Sequence, residues 1–201
     1  MKVIICALML IIPAWVSSQN TAGVPYEEAW DACQKMMKEK QLMYPDSFFY
    51  TGPECLIGAA IPELSATTFD GHEISREYFK GKLTVVNFWT ISCPPCIAEM
   101  PGFDLVVDKF GHDKVNYLAI GADEKDEIID FLKKHPWKFS QLASGWKVTF
   151  EIFQMRWGYP TTMVINEDGI IVAAFSGGKT DESAVKEIEE KLSAIIQEVL
   201  R

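Results

Sequence analysis

Residues 83–96 read LTVVNFWTISCPPC, a strand pattern followed directly by a Cys-x-x-Cys pair. Leu83 to Trp89 is an almost unbroken apolar run of strand length, which predicts a central strand buried on both faces. Two cysteines, Cys93 and Cys96, follow at the expected start of a helix that runs to about Phe110. The two prolines between them suit a first helical turn, where a missing N–H removes no hydrogen bond.

Two cysteines three residues apart at a helix start can close a disulfide with little movement. The N–H groups and dipole of the helix favour a thiolate at Cys93, which predicts a nucleophile, whereas Cys96 lies one turn in and suits a resolving thiol. A structural disulfide and half of a zinc site are the alternatives for this pair. The zinc site needs two further ligands, but the chain has no second Cys-x-x-Cys and its three histidines are scattered. We therefore expect no metal.

The segments around this stretch alternate between strand and helix patterns. They predict strands at 115–122, 139–143, 161–166 and 170–175, with helices at 123–135, at 146–155 and from about 180 onward. Asp70-Gly71 and Glu167-Asp168-Gly169 are typical of hairpin turns. The prediction is an α/β fold in which a mixed central sheet carries helices on both faces.

The first twenty residues, MKVIICALMLIIPAWVSSQN, have a short positive start and a short apolar run before small residues. This pattern predicts a signal peptide over residues 1–18, and a retained N-terminal anchor is the alternative. The protein is then periplasmic or secreted, according to its source.

Residues 19–55 form a predicted N-terminal extension with an amphipathic helix, and residues 56–201 form the main domain. Removal of the signal leaves four cysteines, so Cys33 and Cys55 can bridge the extension to that domain. Alternatively, Cys33 is a small buried hydrophobic residue.

The chain has 201 residues and a net charge of −9. This acidic balance leaves no basic stripe for phosphates, which argues against nucleic acid as a partner. No cofactor is predicted.

Pro160, in Gly158-Tyr159-Pro160-Thr161-Thr162, stands at the entrance of a predicted strand. An X–Pro bond in this position can be cis and would expose the preceding backbone to an extended substrate segment.

Taken together, LTVVNFWTISCPPCIAEMP, the hairpin segment 58–75 and WGYPTT (157–162) resemble the TlpA/ResA-like branch of the thioredoxin superfamily. The resemblance covers roughly residues 56–200. It implies a thioredoxin-like fold with an N-terminal hairpin, and a protein disulfide oxidoreductase that works through a mixed disulfide. Catalytic roles then fall on Cys93, Cys96 and Glu99, and substrate contacts on Trp89, Pro94, Pro95, Tyr159 and Pro160.

Three positions qualify this resemblance. Glu99 matches a glutamate that tunes the thiols or relays protons in that branch, although a solvated helix carboxylate is the alternative. Asn87 replaces a titrating aspartate of ordinary thioredoxins, which shifts proton transfer toward Glu99 or water. Ser92 stands where many relatives have tryptophan, which makes the rim of the site smaller and more polar.

The function expected from the resemblance is dithiol reduction of protein disulfides, as in c-type cytochrome maturation and cell redox homeostasis. A monomer recharged by a membrane electron donor is expected. The alternatives are a peroxiredoxin-like peroxidase, since Thr90 and Cys93 keep T-x-x-C spacing, a disulfide oxidase or isomerase on the same fold, and a copper chaperone.

Overall fold

The computed structural model describes residues 23–46, 52–142 and 146–201. The predicted signal peptide, residues 1–18, lies outside the described residues. Within the described ranges, no helix combines the length and apolarity needed to span a membrane.

The described residues form a mixed α/β fold. Its helices are α1 (Tyr26–Met43), α2 (Pro94–Phe110), α3 (Lys125–Leu132) and α4 (Ser183–Val199). Its strands are β1 (Ala66–Thr67), β2 (Glu73–Ile74), β3 (Leu83–Trp89), β4 (Val115–Gly121), β5 (Ser140–Leu142), β6 (Thr161–Ile165) and β7 (Ile171–Ser176). Strands β1 and β2 form the predicted hairpin around Asp70-Gly71, and β6 and β7 form the predicted hairpin around Asp168.

The five longer strands form one sheet in the order β5-β4-β3-β6-β7, so β3 is central as predicted. It pairs in parallel with β4 and antiparallel with β6, and all seven of its residues are buried. Because side chains alternate along a strand, Phe88 faces one hydrophobic layer and Trp89 the other. The layer of Trp89 is covered by α2 and α4, and the layer of Phe88 by α1.

Helices α2 and α4 pack at very close range through Gly102. A Cβ atom on Gly102 would lie 2.5 Å from the backbone oxygen of Val185 and 3.1 Å from its Cα, so only glycine fits without movement. This contact brings the polar face of α4 near the first turns of α2, where the Cys-x-x-Cys pair lies.

The extension is held against the sheet by contacts of α1. Within the extension, Cys33 and Cys55 form a disulfide that joins α1 to the short 3₁₀ helix at Pro53–Leu56. The Tyr26 hydroxyl donates to the Phe153 carbonyl at 2.7 Å, and Trp30 packs edge-on against Trp157. Since the buried residues of α1 lie in its first turns, the extension shares the core of the main domain rather than forming its own.

Three predicted helices have different bounds in the structure. The 123–135 helix begins only at Lys125, because Glu124 caps it in a capping box with Glu127 while the Asp123 carboxylate binds elsewhere. The last helix begins at Ser183, so Asp181 precedes its first turn, and its carboxylate accepts from the backbone N–H of Ser183.

The predicted 146–155 helix is instead a six-residue π-helix over Lys147–Ile152. Two of its residues, Val148 and Thr149, are buried. The predicted 139–143 strand covers Ser140–Leu142, and its last predicted residue lies outside the described ranges.

Candidate active site

Cys93 and Cys96 form a disulfide at the N-terminus of α2. Cys93 is the N-cap residue, and its Sγ accepts a hydrogen bond from the backbone N–H of Cys96 at 3.2 Å. The Cys93 side chain therefore occupies the position of the oxygen in an ordinary cap. Residue exposure is 7% at Cys93 and 2% at Cys96, so the first cysteine is the nearer to solvent.

The loop between β3 and α2 is anchored by a carboxylate from the next strand end. Asp123 Oδ1 accepts from the Thr90 hydroxyl at 3.0 Å, and Asp123 Oδ2 accepts from the Ile91 backbone N–H at 2.8 Å. No sequence motif indicated Asp123. The signal for it is its place just beyond β4, because the ends of neighbouring parallel strands meet at one sheet edge.

Thr90, which Asp123 binds, is also the threonine of the T-x-x-C spacing. Its hydroxyl points to Asp123, while the Cys93 sulfur is bonded to Cys96. The threonine of the T-x-x-C spacing therefore has a structural role in this loop, through its hydrogen bond to Asp123.

Pro160 lies beside the cysteine loop because β6 pairs with β3. Thr161 is opposite Phe88, so the residue before it falls at the end of β3 that leads to Cys93. The Tyr159–Pro160 peptide bond is cis. The Pro160 carbonyl accepts from the Gly177 backbone N–H at 2.9 Å, which links this loop to the turn after β7.

Glu99 is buried, with 6% exposure, although it is charged in solution. Its carboxyl lies against the backbone of Gly178: a Cβ atom on Gly178 would be 2.8 Å from Glu99 Cδ and 3.2 Å from Pro160 Cγ. Glu99, Gly178 and Pro160 are therefore neighbours. The alternative of a solvated helix carboxylate is wrong for Glu99.

Burial raises the pKa of Glu99 to about 7. Among its charged neighbours, Lys191 lowers that pKa and Glu187 raises it, with burial the largest cause. A carboxyl with this pKa is present in both protonation states near neutral pH.

Asn87 lies beneath the site, with 1% exposure, and its side-chain amide donates to the Thr162 hydroxyl at 3.0 Å. This hydrogen bond links β3 to β6. The Asn87 amide does not titrate, so it cannot exchange a proton with the thiols. The carboxyl that lies against Gly178 beside Pro160 is that of Glu99.

The residues predicted to contact a substrate divide into two groups. Pro94 is exposed, Pro95 and Tyr159 are half-buried, and Pro160 is buried at the edge of the site. Trp89 is a correction: its exposure is 0%, and its ring packs against Phe131 and Trp137, so it supports the loop from beneath. Its place on the α2 side of a strand buried on both faces accounts for this.

The described residues contain no group of three or more His, Cys, Asp or Glu side chains arranged to hold a metal ion.

Comparison with known proteins identifies relatives over about two thirds of the chain. Residues 57–174 match the AhpC/TSA family. The chain is 31% identical over 143 residues to the thiol–disulfide oxidoreductase ResA of Bacillus thuringiensis, covering 69% of this chain and 78% of the relative. Among solved structures, StoA from Bacillus subtilis has a TM-score of 0.52 at 25% identity and covers 65% of this chain and 97% of its own. The dsbF protein of Mycobacterium tuberculosis, solved in mixed oxidized and reduced forms, has a TM-score of 0.55 at 26% identity, with 67% and 98% covered.

Proposed function

Because this chain belongs to the AhpC/TSA family and to the ResA-like thiol–disulfide oxidoreductases of the thioredoxin superfamily, we propose that it is an exported dithiol reductase of protein disulfides. Cys93 is the attacking thiol and Cys96 the resolving thiol. The single observation that supports this assignment best is the position of the Cys93 sulfur at the cap of α2, 3.2 Å from a backbone N–H.

The cap position favours Cys93 as the nucleophile. A thiolate there accepts the Cys96 N–H and meets the positive end of the α2 dipole, and both interactions stabilise its charge. Cys93 attacks one sulfur of the substrate disulfide, and the other substrate sulfur leaves as a thiolate. Cys96 then attacks Cys93, re-forms the internal disulfide, and releases the second substrate thiolate.

The Pro160 loop is the proposed docking place for the substrate backbone. It lies at the end of β3, and the half-buried Tyr159 and the exposed Pro94 frame the approach to Cys93. An extended segment of the substrate can align there beside its cysteine, with main-chain hydrogen bonds giving affinity and side-chain contacts giving preference.

Glu99 is the proposed proton acceptor for Cys96. It is three residues further along α2, about one helical turn, so the two side chains share one side of the helix. With a pKa of about 7, its carboxylate can take the Cys96 proton and release it again at neutral pH.

Export and the reducing direction are part of the proposal. The signal-like residues 1–18 support export, to the periplasm or outside the cell. In such a compartment a reductase needs electrons from elsewhere, so the proposal includes a membrane electron donor. Protein disulfides such as those met in c-type cytochrome maturation are the proposed substrates, and the proposed working form is a monomer.

Residues 19–55 are proposed to stabilise the domain formed by residues 56–201. The Cys33–Cys55 disulfide and the Tyr26 and Trp30 contacts hold α1 against the sheet, on the face opposite to α2 and α4. In this proposal residues 19–55 take no part in the redox cycle.

The experiment that tests the proposal is capture of a substrate as a mixed disulfide. A Cys96→Ala variant lacks the resolving thiol, so we expect it to retain substrate proteins on Cys93. The Cys93→Ser/Cys96→Ala variant is the matched control and should retain none. Equal retention by both variants, each shown to be folded, would refute the assignment of Cys93.

Two measurements separate the alternatives. A peroxidase would consume hydrogen peroxide in the presence of a thiol reductant, and a reductase should not do so at a comparable rate. The reduction potential separates a reductase from an oxidase, because Cys-x-x-Cys proteins span about 150 mV. A value at the oxidising end of that range would contradict the proposed direction.

A further inference from the structure

A small cleft connects the buried Glu99 carboxyl to the surface of the molecule. It lies between α4 and the turn after β7, and its volume of about 30 Å³ is large enough for a water molecule. Its lining includes Glu99, Phe175, Gly178, Lys179, Glu187 and Lys191. We refer to this cleft as the Glu99 port.

The outer end of the port is charged and ordered. Lys191 Nζ lies 3.6 Å from the centroid of the Phe175 ring, so a cation–π contact holds the ammonium group at the rim. Glu187 pairs with Lys179 at 2.6 Å across the opening. Both Glu187 and Lys191 belong to α4, one helical turn apart, and therefore face the same side.

The inner end of the port is apolar apart from the carboxyl. The Gly178 backbone lies against Glu99, and Pro160, which carries no titratable group, lies beyond it. Cys96 is the titratable group one turn before Glu99 on the same helix, α2. The charged groups that face Glu99 from the packed elements are thus Lys179 from the turn and Glu187 and Lys191 from α4.

We propose that the port is the route by which Glu99 exchanges its proton with solvent, and that Lys191 and Glu187 are positioning residues that set the charge of Glu99 in opposite directions. The inference rests on the proposed function, and it assigns to α4 a part in a reaction whose thiols lie on α2.

The resolving step leaves a proton on Glu99, and the port gives that proton a route to water. Cys96 loses its S–H proton to the Glu99 carboxylate as its sulfur attacks Cys93. The bond between Cys93 and the substrate sulfur breaks, and that sulfur leaves with the electron pair as a thiolate. Glu99 is then neutral in the oxidised protein, and we propose that it gives its proton to water through the port. The outer lining of the port comes from α4 and the turn after β7.

The effects of the two α4 residues have opposite signs. The positive charge of Lys191 stabilises the carboxylate, and the negative charge of Glu187 stabilises the neutral acid.

The test is a direct titration of Glu99 in the oxidised protein, followed by carbon-13 NMR of glutamate-labelled side chains and assigned with Glu99→Gln. We expect Lys191→Met to raise the midpoint and Glu187→Gln to lower it, each by about half a pH unit or more. Lys191→Arg keeps the charge and should restore the wild-type midpoint. Lys186→Met is the control, because Lys186 is exposed and pairs with Glu190 on α4 outside the port.

Two results would overturn the proposal. One is a Glu99 midpoint that moves no further in Lys191→Met and Glu187→Gln than in Lys186→Met. The other is a Glu99 midpoint that moves while the pH profile of disulfide exchange stays at its wild-type position. That result would show that the port has no role in the reaction. The titration needs no substrate, so a protein that reduces no disulfide would refute the proposed function and leave the titration result to stand by itself.

Discussion

The carboxyl group of Glu99 lies directly against the backbone of Gly178, where even a Cβ atom would stand 2.8 Å from the carboxyl carbon. Glu99 belongs to the helix of the thiols, and Gly178 belongs to the turn after β7. Their contact joins the cysteine helix to the loop of Pro160, whose carbonyl accepts from the neighbouring Gly177. The proposed proton acceptor is thus placed by residues from three separate segments.

Substitution of Gly178 by alanine should act through Glu99. The backbone of Gly178 is outside the left-handed region, so the added methyl group causes crowding against the carboxyl rather than backbone strain. We expect a loss of about 1–3 kcal/mol in the free energy of unfolding, with most of that loss absent in a Glu99→Ala background. Chemical denaturation of the four proteins in this cycle measures the coupling.

Gly177→Ala is the matched control for this cycle. Gly177 has a φ of 80°, and a Cβ atom added to it would have no neighbour within 4 Å, so alanine there is strained without touching Glu99. Its cost should be the same with and without Glu99. An equal loss for Gly178→Ala in both backgrounds would show that the Gly178–Glu99 contact is not the cause.

Glu99→Gln should shift the alkylation profile of Cys93 to lower pH and slow disulfide exchange at neutral pH. Glutamine keeps the shape of the side chain but removes a charge that disfavours a nearby thiolate and a group that can hold the Cys96 proton. Alkylation rates of the reduced protein against pH, together with the rate of insulin reduction, measure the two effects. Wild-type values for both would contradict the role of Glu99.

The stability of the protein should depend on pH through Glu99. Its pKa is about 7 in the folded protein and near 4.5 when unfolded, so the folded state holds the extra proton between these values. The free energy of unfolding should therefore fall as pH rises from about 4.5 to about 7, by on the order of 2–3 kcal/mol. Glu99→Gln should lack this part of the pH dependence, as denaturation series at several pH values would show. A wild-type curve parallel to that of the variant would rule out the shift.

Cys93 should be alkylated much faster than Cys96 in the reduced protein at neutral pH. Cys93 has the greater exposure and the cap position of α2, whereas Cys96 lies inside the first turn. Mass spectrometry of peptides after brief treatment with iodoacetamide measures the ratio. Preferential labelling of Cys96 would reverse the assigned roles.

Loss of the Cys33–Cys55 disulfide should lower stability without loss of disulfide reduction. The bridge spans 22 residues, and a loop of that length stabilises a fold by roughly 3 kcal/mol in the chain-entropy model. A Cys33→Ala/Cys55→Ala variant assayed for insulin reduction below its unfolding temperature tests both parts. A folded variant that has lost its activity would mean that the extension takes part in the redox cycle.

Local sequence patterns were enough to predict the parts of this protein that depend on near neighbours along the chain. The apolar run 83–89 predicted the central strand, the Cys-x-x-Cys spacing predicted the pair at the start of α2, and turn residues predicted both hairpins. These signals are local, because strand alternation, helix capping and turn conformation depend on residues only a few positions apart. The predicted helix at 146–155 is instead a π-helix over Lys147–Ile152.

The environment of the residues that surround the thiols depends on tertiary packing and could not be predicted from local patterns. Tertiary packing buried Glu99, used Trp89 as a support instead of a contact surface, joined Cys33 to Cys55, and brought Asp123 to the active-site loop. Each of these outcomes depends on partners far away in sequence. The pKa of Glu99 is the clearest case, since burial raises it and burial here comes from the close packing of α2, α4 and the Gly178 turn, which no local pattern encodes.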